Sequence, residues 1–313
     1  MAGRTARASL SEPGPAGTVS GQRGARGGQR ERVAYLGPEG TFSEEALFAS
    51  AERGTFEPIA EPTVYDCVMA VQTERVERAI VPIENSLEGS VNATLDALAL
   101  EAEEVLIVGE VVHPIEHCLI ARRQIALDRI ERVLSHPQAN AQCSSFIRRR
   151  LPQAMVVAAD STADAVRLIA STDLPWAALG NRLSAELYGC EVLEAGVENT
   201  TGNETRFVWL ARRTSATQGS GDWKTSAVFW GLPDTPGALV QVLQVFAEHG
   251  LNLTKIESRP LKRGLGRYIF FVDLEGHEQD AAVGEALETV RAMVERLRVL
   301  GSYPAAHPTG TRP

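Results

Sequence analysis

Apolar and polar positions alternate along this chain in two rhythms. From Arg32 to Arg213, short apolar runs are followed by stretches of helical spacing. Val33-Ala34-Tyr35-Leu36 and Ala79-Ile80-Val81-Pro82-Ile83 read as buried strands, as do Val105–Val108, Cys118–Ala121, Val133–Ser135, Met155–Ala158 and Trp176–Leu179. Val64, Cys67, Val68 and Val71 fall on one helical face, and so do Val91, Leu95, Leu98 and Ala102. Helices open on hydroxyls followed three residues later by an acid: Thr41 with Glu44, Thr63 with Asp66, Ser161 with Asp164. A further helix is expected over Ala139–Arg149, and Gly189 is placed to end another as its C′ residue. This alternation predicts α/β layers with mostly parallel strands. The stretch is long for one such sheet, so two lobes around a cleft are expected.

After a polar, Gly/Ser-rich linker at 214–224 the rhythm changes. Thr225–Trp230 reads as a strand, and Asp234-Thr235-Pro236 opens a helix with its face on Leu239, Val242, Leu243 and Phe246. Gly250 stops it. Strands over Leu251–Ile256 and Tyr268–Leu274 are joined by a turn around Lys262–Gly266. Val283, Leu287, Val290, Val294 and Leu297 mark a last helix and Val299–Ser302 a last strand. The order is βαββαβ, a ferredoxin-like unit over 225–302. Residues 1–31 read as a disordered extension, with an organelle transit segment as the second reading, and 303–313 as a tail.

Composition narrows the function classes. Apolar content of 44% and charged content of 23% are those of a soluble globular protein. The net charge of -9 argues against nucleic acid as the main partner. No apolar run approaches the length of a bilayer span, so no membrane is expected. Cys67, Cys118, Cys143 and Cys190 form no CxxC pair and sit among apolar neighbours. They read as reduced, mostly buried thiols in a cytoplasmic protein.

Four segments carry candidate chemistry. Gly37-Pro38-Glu39-Gly40-Thr41-Phe42-Ser43 leads into a helix N-terminus, where free N–H groups and the Thr41 and Ser43 hydroxyls suit a carboxylate or phosphate. An ordinary capped junction is the plainer reading. In Val81-Pro82-Ile83-Glu84-Asn85-Ser86-Leu87-Glu88-Gly89-Ser90-Val91, Asn85 and Ser86 follow a strand as possible oxyanion donors, and Gly89 permits close approach. Turn chemistry is its alternative. Ser135-His136-Pro137-Gln138 puts His136 at a strand end, facing a cleft or serving the fold. Thr205-Arg206-Phe207 stands where a polar loop becomes an apolar strand. Successive strand side chains face opposite ways, so Thr205 and Arg206 cannot both face one cleft if the strand is regular. Arg206 then either clamps a carboxylate or ties the lobes together. His113 and His117 are four apart with Pro114 between them, so no metal site is expected.

In this order, GPEGTFS, VPIENSLEGSV, SHPQANAQC and TRF resemble the prephenate dehydratase family. Gly237-Ala238-Leu239-Val240 and Glu257-Ser258-Arg259-Pro260 resemble the GALV and ESRP segments of the ACT domain attached to such enzymes. The resemblance runs from about residue 32 to 302. It implies a two-lobed, periplasmic-binding-protein-like α/β catalytic domain over 32–213 followed by an ACT domain. The implied reaction turns prephenate into phenylpyruvate, without metal or cofactor, under control by phenylalanine. Thr205, Arg206, Ser86, Asn85, Thr41 and His136 are then the catalytic candidates. Phe207, Gly89, Ser43 and Gln138 would bind substrate, and the GALV and ESRP residues would bind phenylalanine. A homodimer or homotetramer through the ACT domain is expected. Arogenate as substrate and a non-enzymatic amino-acid sensor are the alternatives. Two departures stand out: Asn140 replaces a usual Leu, and Asn199 replaces a frequent Asp ahead of TRF. Residues 1–31 are too few for the chorismate mutase domain of some members.

Overall fold

The computed structural model describes residues 30–213, 222–261 and 267–306. Most of the expected extension, linker and tail, and the turn around Lys262–Gly266, lie outside the described residues.

The first lobe contains β1 (Glu31–Leu36), α1 (Phe42–Ser50), β2 (Phe56–Glu61), α2 (Val64–Gln72), β3 (Arg78–Asn85), β4 (Gly89–Ser90), α3 (Asn92–Leu100) and β5 (Val105–Pro114). The second contains β6 (Cys118–Ala121), β7 (Arg132–Ser135), α4 (Pro137–Gln142), α5 (Ser144–Arg150), β8 (Met155–Ala158), α6 (Thr162–Ala170), β9 (Trp176–Gly180), α7 (Arg182–Leu187) and β10 (Glu191–Ala195). The chain then returns as β11 (Glu204–Arg212), inserted between β3 and β5. The two crossings between lobes run side by side. Ile115 donates its N–H to the Asn203 carbonyl at 2.8 Å, and Val197 donates to the His117 carbonyl at 3.0 Å.

Most strands of the two sheets run the same way, as expected, but the main run of each sheet holds one strand that runs against the others. The first sheet has order β2-β1-β3-β11-β5, and β11 is antiparallel to both of its neighbours. The second has order β10-β6-β9-β7-β8, with β6 antiparallel to both of its neighbours. The return strand reaches its sheet from the far lobe and so runs opposite to strands that started there. Both sheets are therefore mixed. β5 also runs six residues past Val108, because its second half pairs with β11.

The expected caps form. Thr41 accepts from the Glu44 N–H at 3.4 Å, Thr63 from Asp66 at 3.1 Å and Ser161 from Asp164 at 2.9 Å. Gly189 (φ 63°) follows the C-cap of α7. The single helix expected over Ala139–Arg149 is instead two. Pro137, pre-set for a first helical turn, starts α4 two residues early, and Cys143 (φ -104°, ψ 9°) breaks the run before α5.

The C-terminal module is βαββαβ as expected: β12 (Trp223–Trp230), α8 (Ala238–Glu248), β13 (Leu253–Pro260), β14 (Tyr268–Glu275), α9 (Ala281–Met293) and β15 (Arg296–Pro304). Its sheet, β13-β14-β12-β15, is antiparallel throughout. Val294 is extended (φ -127°, ψ 159°), which ends α9 earlier than expected and puts Leu297 in the last strand.

The two faces of this sheet have separate duties. Ala227 and Phe229 pack beneath the helices with Val242, Phe246 and Leu287. Their neighbours Val228 and Trp230, with Phe271 and Tyr303, join the core of the first lobe beside Leu98, Ile107 and Val208. Burying each such large side chain contributes about 1.5–3 kcal/mol. The contact is close at Gly301 (φ 151°), where a Cβ would overlap the Ile107 carbonyl.

Candidate functional site

A cavity of about 550 Å³ lies between the lobes, within the range of small-molecule sites. Three helix N-termini reach it: Thr41, Phe42 and Ser43 from α1, His136, Gln138 and Ala139 from α4, and Ser161 and Thr162 from α6. Each helix follows a strand, so all three starts sit beyond strand carboxyl ends. Their first-turn N–H groups lack intrahelical acceptors and carry the positive end of the helix dipole. The lining contains no Lys or Arg among the described residues, although Glu88 and Asp160 contribute to it. Any compensation for a negative group placed there would fall on oriented dipoles rather than on positive side chains of the lining.

The first-lobe wall is Asn85, Gly89, Ser90, Asn203, Thr205 and Phe207. β3 and β11 put Thr205 directly across from Asn85. Asn85 spends its carbonyl oxygen on the Leu87 and Glu88 N–H groups at 2.9 and 3.0 Å, which turns its amide nitrogen toward β11. That nitrogen donates to the Thr205 hydroxyl at 2.8 Å, to the Asn203 side-chain oxygen at 2.8 Å and to the Glu204 carbonyl at 3.2 Å. Thr205 Oγ1 thus accepts, and its own proton has no acceptor among the described residues. Thr205 is buried to 7% exposure and Phe207 to 2%, so the hydroxyl works against an apolar wall.

The Thr41 hydroxyl donates to the Leu36 carbonyl at 2.8 Å, and Ser43 is buried at the same helix start. His136 caps α4, its Nδ1 accepting from the Gln138 N–H at 3.3 Å. This leaves Nε2 as the N–H donor of the neutral ring. Cys143, beside α4, is buried and its thiol is pushed up to about 12, so it offers no thiolate.

Two catalytic candidates lie elsewhere. Ser86 is exposed and outside the lining; its Oγ accepts from the Glu204 N–H at 3.0 Å and its own N–H donates to the Glu204 carbonyl at 2.9 Å. It fastens β11 instead of facing the cavity. Arg206 points to the opposite face from Thr205, as strand alternation requires. Its guanidinium donates to Glu110 at 2.6 Å, Asp273 at 2.7 Å, the Tyr303 hydroxyl at 2.8 Å and Glu84 at 3.3 Å. A carboxylate clamp is therefore not its place, and what it ties down is the C-terminal module rather than the second lobe.

Sequence reasoning missed His117, Gln142, Asn203, Ser161 and Thr162, all in the lining. Ser161 and Thr162 had a usable signal, a capped helix directly after a strand. His117 was weighed only as half of a metal pair. In the structure His113 faces Glu45 at 3.3 Å and His117 faces Gln142 at 3.0 Å. Asn199 lies away from the lining and joins the crossing segment to α4 and α5 through the Ala141 carbonyl and the Ser145 N–H. Asn140 donates to the Ser135 and Val157 carbonyls.

In the C-terminal module Gly237 (φ 89°, ψ -4°) precedes α8 in the left-handed region, with Ala238 buried and Val240 63% exposed after it. On β13, Glu257 and Arg259 turn toward the first lobe and Ser258 and Pro260 outward. Glu257 meets Ser90, which lines the cavity, and Arg259 pairs with Asp96 at 2.8 Å. No hydrogen bond joins the Gly237–Val240 and Glu257–Pro260 segments among the described residues.

Comparison with known proteins gives two family matches. The prephenate dehydratase family matches residues 33–215, and the ACT domain matches 226–292. A bifunctional chorismate mutase/prephenate dehydratase from Neisseria gonorrhoeae is 40% identical over 275 residues, covering 88% of this chain and 74% of that protein. A prephenate dehydratase from Mycobacteroides abscessus is 38% identical over 291 residues, covering 90% and 94%. The crystal structure of a prephenate dehydratase from Arthrobacter aurescens in complex with L-Phe superposes with a TM-score of 0.80 at 37% identity, over 90% of this chain and 93% of that one.

Proposed function

The chain belongs to the prephenate dehydratase family and carries a C-terminal ACT domain, and on that premise we propose how its cavity carries out the reaction. The enzyme converts prephenate to phenylpyruvate. One bond from the ring to its carboxylate breaks and its electron pair enters the ring. The ring hydroxyl departs with a proton as water, leaving CO2 and an aromatic product. Aromatisation supplies the driving force, so the protein has to hold the dianion and assist the leaving oxygen.

The observation that carries the reading is the Asn85–Thr205 pair at 2.8 Å, which leaves the Thr205 proton free beside a cavity ringed by helix N-termini. Thr205 donates that hydrogen bond to the departing hydroxyl. Its own acidity is too low for it to give the proton up, so water delivers the proton that is consumed. The starts of α1, α4 and α6 hold the two carboxylates, helped by Ser43, Gln138 and His136, while Thr41 caps α1 with its hydroxyl proton held by the Leu36 carbonyl. Gly89 (φ 81°) lets the β3–β4 turn come close to the substrate, and Phe207 backs the ring.

Phenylalanine binds the ACT domain and acts as allosteric effector. The Arthrobacter aurescens relative, solved with L-Phe, supports this. The module assembles the chain into a homodimer or homotetramer. The four free thiols, three of them buried, fit a reducing cytoplasm.

The test is direct. Purified protein incubated with prephenate yields phenylpyruvate, read by its absorbance in alkali, and EDTA leaves the rate unchanged. Arogenate tested in parallel yields phenylalanine only slowly. Faster turnover of arogenate would reassign the substrate, and turnover of neither would remove the enzymatic reading. Calorimetry with phenylalanine checks the effector, and light scattering checks the assembly.

A further inference from the structure

His117 is 3% exposed, stands at the crossing into the second lobe and lines the cavity. Its Nε2 lies 3.0 Å from Gln142 Oε1, and its Nδ1 is buried with no partner among the described residues. The direction of this contact is fixed from the other side of the cleft. The Gln142 amide nitrogen donates to the Glu88 carboxylate of the first lobe at 3.2 Å, so the oxygen is the end left for His117. An amide oxygen only accepts, hence His117 carries its proton on Nε2. The same oxygen takes a long contact, 3.5 Å, from the Asn203 amide nitrogen. Asn203 in turn presents its oxygen to Asn85, which donates to Thr205. Contacts thus run from a second-lobe imidazole to a first-lobe hydroxyl, with Gln142 Oε1 accepting from both His117 and Asn203 and the Asn85 amide donating to both Asn203 and Thr205.

We infer that His117 is a positioning residue for the dehydration. Its Nε2–H holds the Gln142 carbonyl, Gln142 steadies Asn203 and Asn85, and the Thr205 proton is thereby aimed into the cavity only when the lobes stand together. A second consequence is that substrate is not touched by His117 itself. The inference rests on the role given to Thr205 above.

Three variants test it in the full-length enzyme with prephenate. His117→Leu removes the donor, and His117→Gln keeps an N–H at the same reach. Gln142→Met, at a half-buried position, removes the acceptor without burdening the core. His117→Leu and Gln142→Met are each expected to lower kcat about tenfold or more, with KM changed less than about threefold, because misorientation of a reacting group costs turnover rather than binding. The double variant should be no slower than the slower single, since both act on one chain of contacts. His117→Gln should recover most of the turnover. If His117→Leu does not fold, Gln142→Met and His117→Gln still decide. Normal kcat in Gln142→Met, or loss in His117→Gln equal to that in Gln142→Met, overturns the inference. Full turnover in Thr205→Val would instead bring down the role of Thr205, and so tells the two failures apart.

Discussion

Replacing Arg206 by Met separates a structural tie from a substrate clamp, and the structure gives the size of the effect. The Arg206 side chain is 11% exposed, and its carboxylate partners Glu110 and Asp273 are 1% and 7% exposed. Without the guanidinium, Glu110 keeps Lys224 at 2.6 Å and the Ala306 N–H at 2.9 Å. Glu84 keeps Lys255 at 3.0 Å. Asp273 keeps the Ser226 hydroxyl at 2.6 Å and no other cation among the described residues, so one buried charge loses its compensation, not three. Breaking one buried pair from one side costs about 3–5 kcal/mol. At roughly 2–4 °C per kcal/mol this corresponds to a Tm lowered by roughly 6–20 °C. Asp273→Asn in the same chain removes the stranded charge and should return at least half of the loss. The assay is thermal unfolding followed by circular dichroism, with prephenate kinetics on the folded variant. KM should change less than about threefold, whereas loss of a charged hydrogen bond to substrate, about 1.5–3 kcal/mol, would raise it by tenfold or more. A stable variant with a raised KM would refute the assignment. So would a double variant whose loss is the sum of the singles.

Gly301→Ala should loosen the ACT domain from the first lobe, because a Cβ has no room against the Ile107 carbonyl; faster proteolysis between 213 and 222 reads it, and unchanged cleavage counts against the packing argument. Gly237→Ala forces a side chain into the left-handed region at φ 89°, where nothing lies within 4 Å of the new Cβ. The cost is therefore backbone strain of about 1 kcal/mol, and calorimetry should give weaker phenylalanine binding with catalysis unchanged. Burial keeps the His117 pKa below its ordinary 6.5, outweighing the Gln142 hydrogen bond and the Glu198 carboxylate, which both pull it up. The unfolded chain then takes up the proton first as pH falls, so this stability is present above 6.5 and is lost as pH drops toward the folded value. The Tm advantage of the native chain over His117→Gln should shrink between about pH 7.5 and 5.5, and a constant difference would contradict the sign.

Much of this fold was legible because its signals are local. Thr41, Thr63 and Ser161 cap helices where hydroxyl-to-acid spacing predicts them, and the alternation of β11 already separates Thr205 from Arg206. What escaped depends on contacts between distant segments. Nothing near Glu204–Arg212 tells that the strand will slot between β3 and β5, which is what makes the sheet mixed. Ser86 looks like an oxyanion donor until β11 arrives to occupy it. Arg206 finds Asp273 and Tyr303 in another domain, beyond any spacing rule. His117, Gln142 and Asn203 become site residues only once the two crossings bring the lobes together.

The most direct test of the whole account is kcat for prephenate in Thr205→Val, which keeps the shape of the side chain and deletes the hydroxyl. Loss of one aimed donor to a developing charge predicts a fall of about 10²–10³, with KM within about threefold and an unchanged Tm. A kcat within about threefold of the native enzyme would contradict it, and would place the assistance to the departing oxygen on another group of the cavity.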